Sequence, residues 1–128
     1  MAAQGTSADH APRAFVIEDD VLTLRLLMEL VASHGMEPVP FTRLSSARRA
    51  LDERPPQVMV VDDDLPDGQG SELVRELRDD PRMAHLRVLF CTAADAPRRR
   101  EMARLGPVIE KPFRLRDVER ALAEVRPH

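Results

Sequence analysis

Four short runs of β-forming residues constrain this chain more than any other feature: Ala14–Ile17, Val58–Val61, Arg87–Thr92 and Val108–Glu110. Val58–Val61 has no polar alternation, the pattern of a strand buried on both faces. The segments between them carry helical spacing instead. Val21, Leu24, Leu27, Leu30 and Val31 recur on one face, and Gly35 is placed to end that helix. A short helix over Ser45–Glu53 is stopped by Pro55-Pro56. Ser71 is expected to cap a third helix running to about Arg78, with Leu73, Val74 and Leu77 inward and Pro81 beyond its end. Pro97–Leu105 has Pro in its first turn and Gly106 at its end, and Leu115–Val125 aligns Leu115, Val118, Leu122 and Val125. Around Val39, Pro38 and Pro40 lack the ladder N–H, so that segment is an edge strand or a loop. The alternation is (βα)5, an α/β chain whose parallel sheet is covered on both faces.

The 128 residues suit one domain. A net charge of -3 argues against direct nucleic-acid binding, which usually carries a basic excess. No apolar run approaches the roughly 18 residues a membrane helix needs, so no membrane insertion is expected. The first residues, MAAQGTSADHAPRA, lack the charged and apolar regions of a secretory signal. Residues 1–12 are expected to be a disordered arm and 13–128 the folded domain. The single Cys91 sits in an apolar run as an inert buried thiol, and the default location is cytoplasmic. The four histidines have no ligand spacing.

Open parallel sheets bind at the carboxyl ends of their strands, near a reversal of strand order. There the sequence places Glu18-Asp19, Asp62, Thr92 and Lys111. Asp62-Asp63-Asp64 is a costly run. Two carboxylates about 4 Å apart repel by roughly 4 kcal/mol at an effective dielectric near 20. A cation relieves that repulsion, and Glu18, Asp19 and Asp62 supply the hard oxygens that Mg²⁺ prefers. With a lysine and a hydroxyl nearby, such a pocket suits phosphoryl transfer, Asp62 acting as nucleophile.

At these residues the sequence resembles a response-regulator receiver domain, from about Arg13 to the C-terminus. The matching pieces are Glu18-Asp19 after the first strand and D-x-x-L-P-x-x-x-G at Asp62, Leu65, Pro66 and Gly70, followed by Thr92-Ala93 and Lys111-Pro112-Phe113. Four pieces in order, each at the end of its strand, are a specific signature. The resemblance implies a flavodoxin-like (βα)5 doubly wound sandwich with a five-stranded parallel sheet of order 2-1-3-4-5. It implies Asp62 as phosphoacceptor and Mg²⁺ as cofactor. Asp19 would ligate the metal directly, Glu18 mainly through water and Asp64 through its main-chain carbonyl. Lys111, its bond to Pro112 typically cis, would pair with the phosphoryl group or the acceptor, while Thr92 and the Ala93 N–H bind the phosphoryl oxygens. The donor would be a phosphohistidine on a histidine kinase or phosphotransfer protein, and the output a change in binding to a downstream protein the sequence does not identify. The domain would catalyse only its own phosphorylation and dephosphorylation.

The family usually has Tyr or Phe three residues before the lysine; here that position is Val108, and the segment from Thr92 to Lys111 is shorter than usual. The standard aromatic readout is therefore not expected. Asp20 reads as a helix N-terminal acid and Asp63 and Asp67 as plain turn residues, while the Asp64 side chain could tune phosphate lifetime. Arg98-Arg99-Arg100 with Arg104 reads as a solvated stripe or as a docking face for an acidic partner. The main reading is a stand-alone, chemotaxis-type receiver: a single-domain regulator, a phosphorelay intermediate or a piece of a longer protein. Two alternatives stand beside it. One is a degenerate receiver serving as a phosphorylation-independent interaction module. The other takes Asp62-x-Asp64 as the D-x-D of an aspartyl-phosphate phosphohydrolase, although that motif normally follows the first strand of a larger protein.

Overall fold

The sheet strands are β1 (Arg13–Ile17), β2 (Glu37–Phe41), β3 (Val58–Val61), β4 (Arg87–Thr92) and β5 (Val108–Glu110). In this computed structural model, which describes residues 11–127, they form one parallel sheet in the order 2-1-3-4-5. The expected N-terminal arm lies outside the described residues except for Ala11 and Pro12. Five helices connect and follow the strands: α1 (Val21–Ser33), α2 (Leu44–Glu53), α3 (Gly70–Arg78), α4 (Ala96–Ala103) and α5 (Leu115–Val125). The loop after β3 folds into a two-rung antiparallel hairpin pairing Asp64–Leu65 with Gly68–Gln69.

The period-two alternation of the strands divides the interior into two layers. Phe15, Ile17, Met59, Val61, Val88 and Phe90 face α2, α3 and α4. Ala14, Val16, Val58, Val60, Leu89 and Cys91 face α1 and α5. Each large apolar side chain so enclosed contributes about 1.5–3 kcal/mol. Leu24, Leu27 and Val31 bury the inner face of α1, while its first residues Val21 and Leu22 are 58% and 75% exposed. Leu115, expected on the inner face of α5, is likewise 51% exposed, and Ala121 joins Val118, Leu122 and Val125 there instead. Both departures fall in the first turns of their helices.

The proline-containing segment is the edge strand β2. Glu37 N–H donates to the Pro12 carbonyl and the Phe41 carbonyl accepts from Glu18 N–H. Odd-numbered positions thus face β1, so Pro38 and Pro40 direct their missing donors away from the ladder. Gly35 closes α1 with φ of 77°, a conformation glycine adopts without a Cβ penalty.

Three expected helix starts differ, that of α2 by one residue, at Leu44 in place of Ser45. α4 begins one residue early, at Ala96, because the Asp95 side chain caps it by accepting from Arg98 N–H at 3.0 Å. Ser71 is not the cap of α3; it lies inside the helix, which begins at Gly70. The cap comes from outside, as the Asp63 carboxylate accepts from Ser71 N–H at 2.9 Å.

Candidate functional site

The site is the next turn of the strand alternation. Ladder bonds continue past the strand ends, from Asp62 N–H to Ile17 O and from Lys111 N–H to Thr92 O. Glu18, Asp62 and Lys111 therefore keep the parity of Val16, Val60 and Ile109 and turn toward the side of α1 and α5. Ile17 pairs in register with Val61, so Glu18 and Asp62 follow as neighbours. Their carboxylates and that of Asp19 present oxygens within 4.8 Å of one another. Glu18 and Asp62 are buried, whereas Asp19 is exposed at the rim.

Lys111 joins the two buried acids. Its ammonium is 3.1 Å from Asp62 Oδ2 and pairs with Glu18 Oε1. The Lys111–Pro112 bond is cis. Burial would lower the Lys111 pKa, but the bonds to Glu18 and Asp62 outweigh it and hold the group above its ordinary value. Burial pushes Glu18 up, only partly opposed by Lys111 and by the Asp20 N–H that donates to Oε2 at 3.1 Å. Asp62 Oδ1 accepts from Asp63 N–H at 2.7 Å. Three hard-oxygen carboxylates converging on one point, two of them desolvated, are a donor set that fits a small divalent cation. Asp64 contributes no carboxylate to this cluster.

Thr92 is fully buried at the end of β4, and its hydroxyl accepts from Ala94 N–H at 3.1 Å. Ala93 is exposed beside it. Val108 is half-buried against the α2–α4 layer, and clefts of about 490 and 370 Å³ flank β5 at this residue. Cys91 is buried on the site's side of the sheet, its thiol pushed up to about 12 by desolvation.

Three residues have roles that sequence reasoning missed. Asp63 is 1% exposed, capping α3 and pairing with Arg98. Asp67 supplies both carboxylate oxygens to the start of α2, accepting from Leu44 N–H at 2.8 Å and Ser45 N–H at 2.9 Å. Its signal was indirect: Arg43 precedes α2 and offers no side-chain acceptor. The arginine run of α4 is not a uniform stripe. Arg98 turns to Asp63 and Asp64, and Arg99 donates to the Ala94 carbonyl at 2.6 Å, while Arg100 and Arg104 are exposed. The exposed Asp64 carboxylate lies 3.2 Å from Arg98. It is thus engaged away from the acidic cluster, where the acid/base of a D-x-D hydrolase would be needed.

Comparison with known proteins places these features in a family. The family model described as the response regulator receiver domain matches residues 14–123. The polar-differentiation response regulator DivK of Brucella ovis is 32% identical over 81 residues, which is 61% of this chain and 63% of the relative. Among solved structures, the non-phosphorylated HemR receiver domain of Leptospira biflexa is 30% identical, with a TM-score of 0.77 over 91% of this chain and 98% of that one. The chemotaxis response regulator CheY4 of Vibrio cholerae, at 18% identity, shares the fold with a TM-score of 0.78, covering 90% and 98% of the two chains.

Proposed function

Because the chain belongs to the response regulator receiver family of two-component signalling, we propose that Asp62 accepts a phosphoryl group, with Mg²⁺ as cofactor and a phosphohistidine protein as donor. A receiver is a signalling phosphoacceptor rather than a turnover enzyme. The observation that carries the reading is the single ammonium of Lys111 bonded to both Glu18 and Asp62, with Asp19 within reach. Magnesium held by Asp19, Asp62 and the Asp64 carbonyl, with Glu18 behind, would supply positive charge opposite the phosphoryl oxygens.

The chain's own residues account for the rest. An Asp62 oxygen forms the new P–O bond as the donor's P–N bond breaks, and the bonding pair stays on the imidazole nitrogen, which takes up a proton. Lys111 then neutralises the transferred oxygens, while the Thr92 hydroxyl and the Ala93 N–H bond to them. The Thr92 hydroxyl accepts from Ala94 N–H, which leaves its own O–H to donate to a phosphoryl oxygen, and that bond would draw the end of β4 toward Asp62. The exposed Val21, Leu22 and Leu115 lie in the first turns of α1 and α5, just past the ends of β1 and β5. They give the donor protein an apolar rim around Asp62. A kinase or histidine phosphotransfer protein docking there would act in the cytoplasm, and a downstream protein would read the result.

Intact mass after incubation with acetyl phosphate and Mg²⁺ tests this. One phosphoryl adduct is expected on the wild type, absent with EDTA and in Asp62→Asn. No adduct on folded protein would favour the phosphorylation-independent module, and an adduct surviving in Asp62→Asn would move the acceptor elsewhere.

A further inference from the structure

α4 is attached to the body of the protein in a different way from its neighbours. Met102 is its one buried residue, where α3 buries Leu73, Val74 and Leu77 and α5 buries Val118, Ala121, Leu122 and Val125. What α4 lacks in apolar contact it makes up with charge. Arg99 lies 3.6 Å from Glu110 of β5, and Glu101 lies 3.4 Å from Arg75 of α3. Arg98 reaches furthest. Its Nη2 pairs with Asp63 and stands 3.2 Å from Asp64 Oδ1. One guanidinium nitrogen thus gathers both residues that follow Asp62.

We infer that Arg98 is the positioning residue of the switch: it latches α4 to the loop after Asp62, and the occupancy of Asp62 is read at α4 through this contact. Only Ala94 and the capping Asp95 separate Thr92-Ala93 from the start of α4 at Ala96, so a displacement of the end of β4 carries into its first turn. Arg98 is the tie between that turn and the acceptor loop. A phosphoryl group on Asp62 carries up to about two negative charges in place of the carboxylate's one, and its oxygens offer the guanidinium a competing anion beside Asp63. Re-partnering of Arg98 then shifts a helix whose one buried apolar anchor is Met102. The route is electrostatic, and it does not need the aromatic that Val108 replaces. The latch itself rests on the contacts described; its response to phosphate rests on the acceptor reading above.

Hydrogen exchange of α4 tests the latch, with α2 as internal reference, in wild type, Arg98→Ala, Arg98→Lys and Asp64→Asn. Each protein is measured free and with Mg²⁺ and beryllium fluoride, a phosphoryl mimic. In the free protein, α4 of Arg98→Ala is expected to exchange about tenfold faster, as loss of a charged hydrogen bond implies, with α2 unchanged. Arg98→Lys restores part of the protection. Asp64→Asn, altered at an exposed side chain that cannot unfold the core, gives a smaller shift of the same sign. Beryllium fluoride changes α4 exchange in wild type and leaves it unchanged in Arg98→Ala. Unaltered α4 exchange in both free Arg98→Ala and free Asp64→Asn overturns the latch. A beryllium fluoride response that survives without Arg98 overturns the readout. If wild type takes no phosphoryl adduct, the acceptor reading fails, while the free-protein comparison still decides the latch.

Discussion

Asp63 stands one residue past the candidate acceptor, and its carboxylate does two jobs at almost complete burial: it caps α3 through Ser71 N–H and pairs with Arg98. Asp63→Ala removes a helix cap, worth about 0.5–2 kcal/mol, and takes from Arg98 its buried partner, leaving it only the exposed Asp64. We expect Asp63→Ala to lower unfolding stability by about 2–4 kcal/mol in urea, and Asp63→Asn, which keeps an acceptor for Ser71, to lose roughly half of that. An Ala variant within about 0.5 kcal/mol of wild type would show that neither contact matters. The same residue marks a limit of sequence reading. Glu18, Asp19, Asp62 and Lys111 were legible because each follows a strand, and strand ends have fixed places in a parallel sheet. Asp63 reads as another turn acid because its partners Ser71 and Arg98 lie 8 and 35 positions away, with no local period to link them.

At the scale of elements, the start of α3 and the end of β3 are pressed together at one glycine. A Cβ on Gly70 would stand 2.2 Å from the Asp62 carbonyl oxygen and 2.7 Å from Val61 Cγ2. Helix propensity alone would favour Ala over Gly by about 0.8–1 kcal/mol. Overpacking against strand backbone costs about 1–3 kcal/mol, so the clash wins. Gly70→Ala is expected to lose about 1–2 kcal/mol by chemical denaturation and to form the Asp62 adduct more slowly, since the displaced atom belongs to Asp62 itself. Unchanged or raised stability would contradict the close approach. Strand limits were readable almost to the residue, because apolar runs bounded by charge leave little choice. Helix starts were less so: α2 and α3 take their caps from Asp67 and Asp63, and a cap supplied across a loop leaves no mark beside the helix it serves.

Across the whole molecule, several exposed or half-exposed carboxylates are tied to donors in the folded state. Bonds from Leu44 and Ser45 N–H hold Asp67 below the usual carboxylate range, Arg48 does the same for Glu76, and Arg82 for Asp80. A depressed folded-state pKa adds stability that is fully present above the unfolded value and is lost as pH falls through the folded one. The midpoint of thermal unfolding is therefore expected to hold from neutral pH down to about pH 4–5, then fall below the ordinary carboxylate range. A decline already complete by about pH 5 would contradict this assignment. Cys91 gives the molecule one more property. It is the chain's only cysteine, 1% exposed, with its thiol held protonated by a pKa near 12. A disulfide reagent reaches it when the α1 and α5 layer parts from the sheet. Its labelling rate is thus a native clock for the lifting of that helix layer beside the acidic cluster, available without any introduced probe.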